Sequence, residues 1–182
     1  NVAATDTGYV GIEYDGDAIN AGIYTTYLED VFVPEGAPLP TAPVTYTLES
    51  FESTTFPPDY WTRINDGSTN GWGRYSSAYY ANTGSYSAYI TGSGLTAHDD
   101  WLITPKMSIE SGDSMTFYAK NGSPSYTELF NVKVSSTGNA KADFTASLAS
   151  NVGPPTTYTQ YSYDLTAYAG TDIYVGIQAI SS

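Results

Sequence analysis

The chain has 182 residues, no cysteine and a formal net charge of −13, from 19 acidic and 6 basic side chains. This length predicts one domain with a sizeable core, and the lack of cysteine excludes a disulfide framework, a cysteine nucleophile and a thiolate metal site. The acidic balance excludes a nucleic-acid binder, which needs a basic surface, and disfavours anionic membranes, whereas it suits binding of hard cations such as Ca²⁺.

The secondary structure is predicted to be β throughout. The 18 tyrosines favour strands, the 17 glycines and 10 prolines favour turns, and no segment has the periodicity of a helix. The sequence contains neither a signal peptide nor an apolar run that could insert into a membrane. We therefore expect an internal piece of a longer protein that is secreted or displayed on a cell surface.

In chain order, short alternating or apolar runs separated by turn clusters mark nine candidate strands. About nine strands without a helix predict an antiparallel β-sandwich, of the jelly-roll kind. The predicted strands are residues 7–14, 24–33, 46–51, 85–91, 101–103, 114–119, 128–135, 158–164 and 173–179.

Residues 34–43 interrupt this pattern. Four of these ten residues are proline, which excludes a central strand and predicts an extended linker. Only 33 residues precede it, too few to fold alone.

A repeat links the two ends of the chain. Tyr-Val-Gly-Ile at residues 9–12 reappears at residues 174–177, each copy after a turn rich in threonine, aspartate and glycine. The sequence therefore predicts that residues 1–33 are the closing strands of a preceding repeat, or a donor segment. Residues 34–43 would be a linker, and residues 44–182 a jelly roll that lacks its last strand.

A sandwich without its last strand has an open groove with unpaired backbone groups, which an added strand can fill. Residues 7–33 could fold back onto their own chain across the linker, or complete a neighbouring copy so that chains join head to tail. The linker can reach about 30 Å when extended, so its span leaves both arrangements open. The expected partners are neighbouring copies of the same protein or adjacent repeats.

From Phe51 onward, five motifs occur in an order that resembles the cleaved-adhesin, or choice-of-anchor J, domains of bacterial surface proteins. The resemblance implies a jelly roll related in architecture to MAM domains and carbohydrate-binding modules, a role in surface display or adhesion, and a structural Ca²⁺. The family's closing strand resembles residues 27–31, where the first acid is Glu29 instead of the usual aspartate. The motifs are Phe51-Glu52, Pro57-Pro58-Asp59-Tyr60-Trp61, Asn65-Asp66-Gly67, Gly71-Trp72 and Asp99-Asp100-Trp101-Leu102-Ile103-Thr104-Pro105.

Five carboxylates are the candidate Ca²⁺ ligands, because an ion that ties the first strand of a jelly roll to the last needs oxygen ligands from both. Glu52 lies on the first strand of the resemblance, Glu29 and Asp30 lie on the last, and Asp66 and Asp100 lie in the motif loops. The alternative is that these acids cap turns by accepting backbone hydrogen bonds.

A catalytic site is not expected. The single histidine, His98, stands beside Asp99 and Asp100, but no nucleophile elbow accompanies it and no pair of acids is distinguished for glycoside hydrolysis. We therefore interpret His98 as a polar loop residue beside a structural acid pair.

Aromatic residues give a candidate ligand site. We expect the three tryptophans, Trp61, Trp72 and Trp101, to lie in the core. Tyr79 and Tyr80 are candidate ligand-binding residues, since exposed rings can stack on sugars or proteins, although ordinary strand tyrosines would give the same pattern. Both belong to a group of tyrosines at positions 75, 79, 80, 86 and 89.

Two functions remain open at this point. The first is a structural or adhesive repeat of a large surface protein or fibre, joined head to tail by strand complementation. The alternative is a carbohydrate-binding module appended to a secreted enzyme. The one N-glycosylation sequon, which begins at Asn121, is predicted to lie on a loop.

Overall fold

The computed structural model of the chain describes residues 25–29, 31–34, 46–67, 70–92 and 96–181, with side chains from Leu48 onward. In these ranges the regular structure is thirteen β-strands and two short 3-10 helices, Lys141–Asp143 and Thr166–Tyr168. The strands are β1 (Thr25–Glu29), β2 (Val31–Pro34), β3 (Tyr46–Glu49), β4 (Thr62–Ile64), β5 (Gly73–Ser76), β6 (Tyr86–Thr91), β7 (Asp100–Ile103), β8 (Met107–Ser108), β9 (Ser114–Asn121), β10 (Phe130–Ser135), β11 (Ala146–Val152), β12 (Thr159–Asp164) and β13 (Asp172–Ala179). No helix among the described residues is long and apolar enough to span a bilayer.

Two antiparallel sheets form the body. The first sheet has the strand order β12-β9-β1-β6-β5, and the second has the order β11-β10-β13-β7-β4 with β8 beside β13. Strands β2 and β3 form a separate two-stranded sheet. The predicted all-β antiparallel class is confirmed.

The main hydrophobic core joins the inner faces of the two sheets, and Trp101, Ile103 and Phe144 form a second, smaller cluster of buried residues. The Phe117 ring on the first sheet lies 5.8 Å from the Phe130 ring on the second, between ring centroids. In β9 and β10 buried residues alternate with half-exposed ones, as expected when one face of a strand is turned inward. All three tryptophans are buried, as expected from the sequence.

Strand β1 is a central strand of the first sheet, although it precedes the rest of the body in the chain. It pairs with β6 on one side and β9 on the other, with Leu28 opposite both Ala88 and Ala119. Its flanks are therefore continuous with the hydrogen-bond ladder of the body, and β6 and β9 would each have an open edge without it.

Residues 34–43 lie between two strands that pair with each other. Strands β2 and β3 are antiparallel, with Pro34 opposite Tyr46. Within this chain, β1 and β2 thus pair with the body that follows them. That residues 1–33 close a preceding repeat stays a prediction, and the predicted strand at residues 7–14 lies outside the described residues.

Several strands differ from the predicted set. The run 24–33 contains two strands, β1 and β2, separated at Asp30, which lies outside the described residues. Four strands were not predicted from the sequence: β4, β5, β8 and β11. Three of them have four residues or fewer, and β11 is built largely from alanine and serine with irregular register against β10, so neither length nor alternation marks them.

Candidate functional site

The acidic pair at the start of β7, Asp99 and Asp100, forms a hydrogen-bonded hub. The Asp100 side chain is fully buried, and its Oδ1 accepts hydrogen bonds from the backbone amides of Asp66 (2.9 Å) and Gly67 (3.3 Å). Its Oδ2 lies 2.6 Å from His98 Nδ1. Asp100 therefore fastens the turn at residues 66–67 to the start of β7.

Glycine is required at position 67 for this contact. A Cβ placed there would lie 2.0 Å from the Asp99 backbone nitrogen, a distance that no side chain allows. The Asn65-Asp66-Gly67 and Asp99-Asp100 motifs are thus two halves of one tight junction between loops.

Asp99 extends the hub toward the surface. Its Oδ1 accepts hydrogen bonds from Trp101 Nε1 (2.9 Å) and Gln178 Nε2 (2.8 Å), and its Oδ2 forms an ion pair with Lys141. The Lys141 ammonium also lies 2.7 Å from the Asp66 carboxylate. Through these contacts the 3-10 helix Lys141–Asp143 is tied to both motif loops.

The partners of Asp99 and Lys141 shift their pKa values in opposite directions. Burial alone would raise the pKa of Asp99, but the hydrogen bonds from Lys141, Gln178 and Trp101 outweigh it and hold the pKa below its ordinary value. Hydrogen bonds to Asp66 and Asp99 raise the pKa of Lys141 well above its usual range. Both groups are therefore charged at neutral pH.

His98 is an internal part of this hub. Its backbone amide donates to the Ser181 carbonyl at 2.8 Å, and the His98 and Asp100 side chains have no exposed surface. A substrate cannot contact this imidazole without opening the fold. The geometry fits a structural role that joins the C-terminal residues to the loop before β7.

Glu52 fastens a different loop. Its Oε1 accepts the backbone amides of Ser85 and Tyr86, each at 2.9 Å. Gly84, at φ +65°, leaves room for this carboxylate, since a Cβ there would lie 2.4 Å from Oε1. Arg74 completes the junction by donating to the Phe51 and Glu52 carbonyls and stacking 3.2 Å from the Tyr86 ring centroid.

Of the described candidate Ca²⁺ ligands, the structure brings Asp66 and Asp100 together at the hub. Glu52 lies at its own junction and Glu29 ends β1, while Asp30 lies outside the described residues. Among the described residues, no group of three or more histidine or acidic side chains is arranged so that it could hold a metal ion. At least one oxygen of Glu52, Asp66 and Asp100 is occupied by a protein donor, so Ca²⁺ binding remains a prediction.

One carboxylate that the sequence did not single out lies opposite the first residue of β2. Glu49 pairs with Val31 in the β2–β3 register, and Val31 follows Glu29 and Asp30 in the chain. Burial raises the pKa of Glu49, although the backbone amide of Phe51 partly offsets this by donating to it. The sequence offered no signal for Glu49, because strand pairing in the folded chain sets it opposite Val31.

Four of the five tyrosines in the predicted group form one cluster beside the edge strand β5. Ring centroids are 5.0 Å apart for Tyr79 and Tyr80, 5.4 Å for Tyr75 and Tyr80, and 5.3 Å for Tyr75 and Tyr89. Tyr75 and Tyr79 are exposed, and Tyr80 and Tyr89 are half-buried. Tyr86 lies apart from this cluster, against Arg74. These four connected rings are called the tyrosine cluster below.

Two lysines in these sites were missed by sequence reasoning. Lys141 holds the hub, and Lys120 is buried beside the tyrosine cluster, with its ammonium 5.5 Å from the Tyr80 ring centroid and 4.8 Å from that of Tyr158. The available signal was scarcity, because the chain has only 6 basic residues. Both of these lysines lie against acids or aromatic rings.

The glycosylation sequon is not on an open loop. Asn121 is the last residue of β9, its side chain is buried, and its amide donates to the Tyr126 carbonyl. The expectation of a loop position was wrong, because β9 runs two residues beyond the predicted strand.

Comparisons with known proteins match most of the chain to one family. The sequence model of the Cleaved Adhesin Domain family matches residues 44–173. Two relatives named Hemagglutinin A, from Porphyromonas gingivalis and from its strain W83, are 29% and 28% identical to 76% and 74% of this chain. The chain spans only 6% and 7% of the length of these relatives.

A solved structure agrees with the sequence match. The K1 cleaved adhesin domain of Lys-gingipain from Porphyromonas gingivalis W83 is 30% identical, with a TM-score of 0.59. The similarity covers 74% of this chain and 87% of that domain. The family match begins after β1 and β2. It therefore includes neither β1, which completes the first sheet, nor β2, which pairs with β3.

Proposed function

The chain belongs to the Cleaved Adhesin Domain family, and we propose that it is an adhesive repeat module of a large protein outside the cell. The family match and the name of the hemagglutinin relatives support an adhesive role. The acidic, cysteine-free composition suits a module displayed on a cell surface or secreted.

We propose that the module is not itself an enzyme. The burial of His98 against Asp100 supports this, because the pair that most resembles part of a catalytic relay has no surface open to a substrate. The same pair has a sufficient structural purpose in joining residue Ser181 to the motif loops.

The central position of β1 carries the finer part of the proposal, which is that copies join head to tail by strand complementation. The ladders on both sides of β1 need a strand, since unpaired backbone groups in a sheet interior are strongly unfavourable. That strand can come from the same chain or from a neighbour with the same sequence. In both cases it forms the same hydrogen bonds.

The segment that connects β2 to β3 favours exchange between copies. Four of the ten residues 34–43 are proline, and proline-rich segments prefer an extended course to a closed loop. In an exchanged assembly, β1 and β2 would leave their own body and pair with another copy, which is how exchange of an identical element creates oligomers. If the contact does not close on itself, it produces a linear chain of modules.

Chains of modules would strengthen adhesion by multivalency. Several weak sites on one filament bind a cell far more tightly than one site does, provided that they can engage together. Exchange of β1 would therefore connect the fold to the adhesive role.

Erythrocytes are the direct probe of this function, because the relatives carry the name hemagglutinin. Size-exclusion chromatography with light scattering separates the 19.5 kDa monomer from exchanged oligomers. We expect the monomer to bind erythrocytes without cross-linking them, and oligomers to agglutinate them. An absence of binding by both fractions would refute the adhesive proposal for this cell type.

We also propose that a structural Ca²⁺ binds between Glu29, at the end of β1, and Glu49 on β3. The register that sets Glu49 opposite Val31, directly after Glu29 and Asp30, supports this position. Carboxylate oxygens are the ligands that Ca²⁺ prefers, and the ion would neutralise acids at the end of the exchanged strand. Ca²⁺ would then stabilise β1 in its place.

A further inference from the structure

We propose that the tyrosine cluster, Tyr75, Tyr79, Tyr80 and Tyr89, binds neutral carbohydrate. The proposal deepens the adhesive function proposed above, on which it rests, by naming a ligand class and a site.

Exposure of aromatic surface is the first observation. The Tyr79 side chain is 45% exposed and that of Tyr75 is 39% exposed, and they are two of only five large apolar side chains that are exposed among the described residues. Sugars present C–H faces that pack on aromatic rings and hydroxyl groups that bond to their phenol oxygens. The rings therefore offer both kinds of contact that a sugar needs.

The shape of the cluster is the second observation. The Tyr79 and Tyr80 rings meet at 89°, and the Tyr75 ring meets Tyr80 at 67° and Tyr89 at 64°. Rings at such angles form corners instead of one flat platform. A corner favours a single ring or chain end that contacts one face and one edge over a long flat polymer.

The backbone that carries the cluster is held in place. The amides of Tyr80 and Ala81 both donate to the Ser77 carbonyl, at 2.9 and 3.0 Å, and the Tyr158 hydroxyl donates to the Tyr80 carbonyl at 2.5 Å. Lys120, whose residue surface is 3% exposed, supports the Tyr80 and Tyr158 rings from within. Such preorganisation lowers the entropy lost when a ligand binds.

The charge around the cluster identifies the ligand as neutral. Arg74, the cation on β5, is already engaged by the Phe51 and Glu52 carbonyls and by the Tyr86 ring, and Lys120 is buried. The chain as a whole carries a net charge of −13, which repels sialylated and sulfated glycans. Burial raises the pKa of Tyr80, so its phenol stays neutral at physiological pH.

The test uses a printed array of neutral, sialylated and sulfated oligosaccharides, followed by calorimetry on the neutral sugars that bind. We expect binding to neutral members only. Tyr79→Ala should weaken it about tenfold or more, as expected for an aromatic anchor, and Tyr79→Phe should retain most of it because the ring remains. Tyr60→Ala is the matched control, since Tyr60 is 89% exposed outside the cluster.

Each other result overturns the proposal. A silent array, a preference for charged glycans, equal loss in Tyr79→Ala and Tyr60→Ala, or no loss in Tyr79→Ala would each contradict it. Melting curves of the variants exclude misfolding as the cause of a loss. If erythrocyte binding survives while the array is silent or Tyr79→Ala has no effect, the carbohydrate site is wrong and the adhesive function stands with another ligand.

Discussion

Replacement of Asp100 by alanine should destabilise the domain more than any other single change at the hub. It removes the acceptor for the Asp66 and Gly67 amides and the partner of His98 Nδ1. Removing one partner of a buried charged pair typically lowers the free energy of unfolding by about 3–5 kcal/mol. The two amides lie in a turn that water can reach, which argues for the lower half of that range.

For a chain of this size, about 3–4 kcal/mol corresponds to a fall in melting temperature of about 6–16 °C. Urea unfolding followed by tryptophan fluorescence measures the free energy directly, because Trp72 and Trp101 are buried. Asp100→Asn should lose less, since its amide oxygen can still accept the two backbone amides. Asp59→Ala is the control, as Asp59 is exposed. If Asp100→Ala and Asp59→Ala lose equal stability, the hub does not hold the fold.

Three further results are expected. Gly84→Ala should lower the melting temperature more than Gly112→Ala does. Both glycines have positive φ, but only the Cβ added at position 84 would lie 2.4 Å from Glu52 Oε1. Equal losses would mean that backbone strain alone acts. The pKa of Asp99 is lowered in the folded state, so its stabilising effect is complete above about pH 5. It declines as the pH falls from the ordinary value of about 3.9 and is lost below the lower folded-state pKa. Melting curves between about pH 6 and 3 should therefore show a smaller loss for Asp99→Asn than for the parent, and parallel curves would contradict this assignment. Millimolar Ca²⁺ should raise the melting temperature and chelator should reverse the rise, and an unchanged temperature would remove the calcium proposal.

The sequence predicted the core better than the site. Trp72 and Trp101 could be placed inside because they belong to motifs beside predicted strands, and the all-β class followed from turn clusters between short runs. Strand β11 was not predicted because its Ala-Ser-Leu-Ala-Ser run has neither alternation nor β-branched side chains. Its irregular register with β10 weakens the pattern further.

The chemistry of the acidic motif could not be read from its spacing. Asp66 and Asp100 were expected to bind Ca²⁺, and a carboxylate in a loop looks the same in sequence whether it faces a cation or an amide. Their partners, Lys141 and His98 with two backbone amides, are chosen by the tertiary fold. The same holds for Glu49, whose position opposite Val31 depends on the β2–β3 register.

The place of β1 was also beyond sequence pattern. Alternation and aromatic content marked residues 24–33 as strand, but they carry no information about which strands lie on either side. Leu28 is opposite Ala88 and Ala119 because the sheet has a gap of one strand there, and any copy of the same sequence would fit that gap equally.

A disulfide test between copies addresses the exchange of β1 most directly. Thr25 and Thr91 are register partners, and Cα atoms of antiparallel partners lie about 4.5–5.5 Å apart, within the range that a disulfide spans. The chain has no cysteine, so Thr25→Cys and Thr91→Cys can be made in separate chains, refolded together and oxidised. Thr25→Cys mixed with Ser150→Cys, at an exposed site on β11, is the control. We predict a covalent heterodimer in the first mixture and not in the control. If a chain carrying both Thr25→Cys and Thr91→Cys closes its internal disulfide while the mixture gives only monomers, β1 belongs to its own chain alone and the proposed head-to-tail assembly is wrong.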